Sequence, residues 1–89
     1  MVQPRSLTDL EYIEYVADQI QDQPNQALRR MNRELSPNAA RPGALIHEVF
    51  ASEDKDPSQM RDDIAAILAS VAEPERTEVQ TYFTSPQNV

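Results

Sequence analysis

The sequence predicts an all-α fold, a compact bundle of four to five short helices at about residues 9–21, 24–35, 43–52, 57–71 and 75–83. Two observations carry this expectation. Apolar side chains recur every three or four positions, the period of a helix with one buried face. Six of the seven prolines punctuate those stretches: Pro24, Pro57 and Pro74 stand just ahead of one, and Pro37, Pro42 and Pro86 fall where one stops. Proline fits the first turn of a helix, where its missing N–H would lack a partner anyway, and it breaks a helix interior.

The first helix is expected to start at Thr8, with Glu11 reaching back to close a capping box and Leu7 and Tyr12 as a hydrophobic staple. Leu10, Ile13, Val16, Ala17 and Ile20 then fall on one side. The second helix starts near Pro24, uses Leu28, Met31 and Leu35 as its apolar seam, and stops before Ser36-Pro37, because a residue ahead of proline is pushed out of the α region. Ser36–Gly43, with two prolines and the only glycine, reads as an ordered corner. Leu45, Ile46, Val49 and Phe50 mark a short third helix.

Asp56 as N-cap, Pro57 in the first helical position and Gln59 three residues past the cap open the fourth helix. Met60, Ile64, Ile67, Leu68 and Val71 form its apolar face; Ala65, Ala66 and Ala69 lie opposite, either facing water or admitting a second backbone. Thr77–Thr84 also alternates like a strand, but no second strand is available to pair with it, which favours a fifth helix. The 89 residues fit a single domain, with 1–6 and 85–89 expected to be frayed ends.

A net charge of −7 opposes nucleic-acid and anionic-membrane binding, which need clustered Lys and Arg. The longest apolar run, Ile64–Ala69, is far short of a membrane span, and Met1–Arg5 lacks the apolar segment of a secretory signal, so a cytoplasmic location is expected. With no cysteine there is no disulfide or thiolate chemistry.

Three surfaces stand out as candidate sites. Glu11, Glu14, Asp18 and Asp22 form an acidic stripe opposite the apolar side of the first helix, bordered by Tyr15. Like charges at this spacing cost a few tenths of a kcal/mol per pair. The stripe is either a solvated face or a docking surface for a basic partner. Arg29, Arg30 and Arg33 form the only basic cluster, placed to grip a carboxylate or phosphate or to pair with carboxylates of the same fold. Ala65, Ala69, Tyr82 and Phe83 are candidates for a homo-oligomer interface, such as that of a homodimer.

Catalytic, metal and cofactor sites are expected to be absent. Asp54, Asp56 and Ser58 match the first ligands of a calcium loop, but Gln59 stands where glycine is required and Ala65 where a bidentate glutamate is required. The sole histidine, His47, has no second His and no Cys to join it, and is expected at the surface or boundary of the third helix. One glycine cannot form a glycine-rich phosphate loop.

The expected function is therefore non-enzymatic: a small acidic protein–protein interaction module of inhibitor, immunity, chaperone or adaptor type. Two alternatives stand beside it. One is a helical nucleic-acid-binding regulator using Arg29, Arg30, Arg33 and Arg41, for which an eight-residue connector is long; the other is a structural homo-oligomer subunit.

Overall fold

Five α-helices and no strand make up residues 7–84, the part of the chain that the computed structural model describes: α1 (Leu10–Asp22), α2 (Pro24–Glu34), α3 (Pro37–Ala51), α4 (Pro57–Ala69) and α5 (Glu75–Thr84). The all-α bundle expected from the sequence is the fold observed, and the segment with strand-like alternation is helical. The expected frayed ends lie outside the described residues.

Local chemistry explains most helix starts. Asp9, not Thr8, caps α1, its Oδ1 accepting the Tyr12 N–H at 3.1 Å. A carboxylate at the positive end of the helix dipole makes a charge-assisted bond that a hydroxyl cannot, so the start lies one residue later than expected. Asp56 caps α4 as expected, accepting from Gln59 N–H at 2.9 Å, with Pro57 at N1. That helix stops at Ala69, two residues early: Ser70 and Val71 turn back in tight i→i−3 bonds to Ile67 and Leu68 carbonyls. At α5, Thr77 donates its N–H and hydroxyl to Glu73, and these bonds, the side-chain one foremost, hold the Glu73 carboxyl below its usual pKa.

The main correction concerns α3. It starts at Pro37 and runs straight through the expected corner, so Pro42 and Gly43 lie inside a helix. Ser36 caps it by accepting from Ala39 N–H at 3.4 Å, and Pro37 occupies N1. Pro42 stands just past the first turn, whose amides lack intrahelical partners, so it deletes only the bond that its own N–H would have made to Asn38. Gly43 is needed for packing. A Cβ there would lie 2.7 Å from Leu35 Cδ1 and 3.1 Å from Met31 Sδ, so its absence lets α2 close onto α3.

α3 packs against all four other helices. Around it gather Ile13, Val16 and Ile20 of α1, Met31 of α2, Met60, Ile64 and Leu68 of α4, and Val79 and Phe83 of α5, all buried. Phe50 sits at the centre, its ring 5.6 Å from that of Phe83. Two residues read as apolar-face members face outward: Leu45 is 50% exposed and Leu10 39%. The principal extents of 29, 28 and 25 Å describe a globule around one central helix rather than an elongated up-and-down bundle.

Helix ends are closed by side chains from distant helices. The Tyr12 hydroxyl donates to the Phe83 carbonyl in the last turn of α5, and Gln21 Nε2 donates at 2.9 Å to the Phe50 carbonyl in the last turn of α3. Glu78 of α5 accepts from Ser36 N–H at 2.7 Å and from its hydroxyl at 3.0 Å. Glu78 thus does from another helix what an N3 glutamate does in a capping box, a position that Ala39 cannot serve.

Candidate functional site

The acidic stripe is laid out as the helical period requires. Glu11, Glu14, Asp18 and Asp22 are all exposed on α1, while Ile13, Val16, Ala17 and Ile20 are buried on its other side. Tyr15 is 47% exposed, its ring 6.5 Å from that of Tyr12. None of the four carboxylates takes part in an ion pair among the described residues.

On α2, Arg29, Arg30 and Arg33 are exposed, and Arg29 and Arg33 enter no ion pair among the described residues. The expected pairing with carboxylates of the same fold is thus not made by these two. Lys55 instead bridges to Asp63 at 2.7 Å. That bridge and the Asp56 cap occupy two of the acids in the segment tested against a calcium loop.

The surface suggested for self-association is divided. Ala65 and Ala69 are exposed within the single chain. Phe83, by contrast, is 3% exposed and packed on Phe50, so it belongs to the core and presents nothing to a second copy. Tyr82 is half-buried, its ring edge-on to Phe83 with centroids 5.2 Å apart.

The three surfaces meet at one place. A cleft of about 400 Å³ opens between α1, α2 and α5, and it is lined by Asp22 from the acidic stripe, Arg30 from the basic cluster and Tyr82 from the aromatic pair. Val16, Ile20, Met31 and Phe83 supply apolar lining, and Gln19, Gln23 and Gln26 add amides. Small side-chain volume contributes to the opening: Ala27 lies one turn before Met31, the only buried residue of α2, and α2 packs mainly on α3 rather than on α1.

His47 also lines this cleft and is a second correction. It is 7% exposed, not a surface residue. The α3 register puts it four residues after Gly43 and beside Ile46 on the buried face. Its Nε2 lies 3.1 Å from the Pro24 carbonyl oxygen. A carbonyl only accepts, so Nε2 carries the proton and donates. In the neutral ring Nδ1 is then a bare acceptor, with no hydrogen-bond partner among the described residues. The signal in the sequence is weak: His47 stands four residues after the only glycine and three before Phe50, on the same helical face.

Tyr82 completes the electrostatics. Burial, and secondarily the Glu34 charge, raise its phenol from an ordinary value near 10 to about 12, while Arg30 and Arg33 pull the other way. The hydroxyl remains a neutral donor across the physiological range. Among the described residues no cluster of three or more His, Asp or Glu side chains is arranged to hold a metal ion, and no helix is long and apolar enough to cross a membrane. No family model, curated protein or solved structure matches this chain.

Proposed function

We propose that the chain is a cytoplasmic protein–protein interaction module that acts by binding, not catalysis, and that the outer face of α1 docks a basic partner. One observation carries this reading: four carboxylates stand exposed along a single helix face with no ion-pair partner among the described residues. Like charges at that spacing cost the helix a few tenths of a kcal/mol per pair. A partner bearing Lys or Arg would relieve that repulsion and gain encounter rate by electrostatic steering. Tyr15 at the border supplies a large amphipathic contact of the kind enriched in interface hot spots.

The test compares two baits on lysate from the native host, the wild-type chain and Glu14→Lys/Asp18→Lys. Both sites are exposed, so helical circular dichroism is expected to be unchanged. The reading expects proteins retained by the wild type in low salt to be lost from the charge-reversed bait. Equal retention by both baits overturns it.

A second reading draws on the two-residue link, Leu35-Ser36, between α2 and α3, far tighter than the eight-residue connector expected. A short link between two helices, with Arg29 and Arg33 exposed on one and Arg41 on the next, suits a nucleic-acid-binding regulator of helix-turn-helix type. The net charge of −7 opposes it. A gel shift with duplex DNA at low salt decides, since phosphate contacts strengthen steeply as salt is lowered.

A further inference from the structure

Three properties of the cleft between α1, α2 and α5 point to the same kind of ligand. It carries opposite charges on different elements, Asp22 from α1 and Arg30 from α2. It has an apolar lining in Val16, Ile20, Met31 and Phe83. It contains a polar group that is more than nine-tenths buried, the His47 ring, whose Nδ1 acceptor has no partner among the described residues. A buried polar group left unpaired costs free energy, so such groups in folded proteins are ordinarily satisfied by protein, water or ligand.

We propose that this cleft is a binding site for a small zwitterion with an apolar side chain, the chemistry of a free aromatic or large aliphatic amino acid. An ammonium group has only donors, which suits the Asp22 carboxylate and the His47 Nδ1 lone pair. A carboxylate has only acceptors, which suits the Arg30 guanidinium, whose five N–H donors can serve more than one partner. The apolar side chain takes the place of water against Met31 and Phe83, where thioether and ring favour an aromatic group. About 400 Å³ lies toward the lower end of small-molecule sites, room for one amino acid rather than a nucleotide. A phosphate ester is disfavoured by the single guanidinium and the nearby Asp22, and a fatty tail by the three glutamines of the lining. The cleft shares Asp22 with the acidic stripe but not Glu14 or Asp18, so charge reversal at those two positions tests the protein-docking reading without touching this site.

The probes are phenylalanine, phenylpropionate and phenethylamine, which share one ring and differ in charge. His47 is the sole histidine, so its ring signals in NMR identify themselves and report directly from the cleft. Phenylalanine is expected to shift those signals saturably and to bind about tenfold more tightly than either single-charge analogue, the factor that one charge-assisted contact of about 1.4 kcal/mol supplies. Asp22→Asn should abolish the preference over phenylpropionate, and Arg30→Gln the preference over phenethylamine. Both positions are exposed, so both variants are expected to fold, as circular dichroism will register. His47 signals that stay fixed up to the solubility limit of phenylalanine overturn the proposal. So does an analogue that binds as tightly as phenylalanine, or discrimination that survives both substitutions.

Discussion

α3 and α4 begin with the same chemistry and then differ in what holds them. Each has a short polar cap accepting from the N3 amide, Ser36 at 3.4 Å and Asp56 at 2.9 Å, followed by proline at N1. Beyond the cap, α4 is uninterrupted, buries Met60, Ile64 and Leu68 on one side and leaves Ala65, Ala66 and Ala69 on the other. α3 contains a proline and a glycine, has the longer cap bond, and nevertheless touches every other helix. A peripheral helix must be regular because local propensity is much of its support. A central helix can carry residues of poor propensity because its neighbours hold it, with α2 closing on Gly43 and α5 reinforcing Ser36 through Glu78.

The largest effect that separates the two should come at Gly43. Gly43→Val puts a branched side chain where even a Cβ meets Leu35 and Met31, and should cost about 2 kcal/mol or more of unfolding free energy in denaturant melts. A change below about 0.5 kcal/mol would break the argument that close approach selects glycine there.

Next come the caps. Ser36→Ala and Asp56→Ala should each cost about 1 kcal/mol. Only Ser36 should couple to Glu78: a cycle of Ser36→Ala with Glu78→Ala should depart from additivity by about 0.5 kcal/mol or more, whereas Asp56→Ala with Glu78→Ala should add. Equal coupling in the two cycles would remove the distinction between a locally capped and a tertiary-capped helix.

Smaller still is the exposed face of α4. Ala65→Glu should change stability by less than about 0.5 kcal/mol if that face meets water. A loss that grows with protein concentration would reveal a second copy there instead.

The last effect is read only at high pH. The folded state holds the Tyr82 proton more tightly than the unfolded chain, so its contribution is complete below pH 10 and is lost as pH rises toward about 12. Denaturant midpoints followed over that range should fall for the wild type and fall less for Tyr82→Phe.

How far the sequence could be read follows the same contrast. α4 was legible from its start because Asp56-Pro57 is followed by an unbroken period. α1 was legible in its faces, and missed by one residue at its cap because Thr8 and Asp9 are both competent there. In α3, Ser36-Pro37 carried an equally valid start signal, masked by Pro42 and Gly43, whose tolerance depends on position in the helix and on a neighbour 2.7 Å away. Within α3 the apolar spacing alone does not separate Leu45, which faces outward, from Ile46, Val49 and Phe50, nor does it mark His47, expected at the surface or boundary, as buried. The acidic and basic stripes follow from spacing alone. The cleft does not, because it exists only when α1, α2 and α5 are brought together, and Phe83 could not be assigned to the core without knowing that Phe50 lies beside it.

The long-range closures of the helix ends have a consequence for how this chain can be cut and rejoined. Tyr12 reaches 71 residues along the chain to Phe83, Gln21 reaches 29 to Phe50, and Glu78 reaches 42 back to Ser36. No fragment lacking either α1 or α5 keeps all three. Halves expressed apart should therefore remain largely unstructured yet complement one another on mixing, and opening should proceed as a single event rather than by peeling from either terminus.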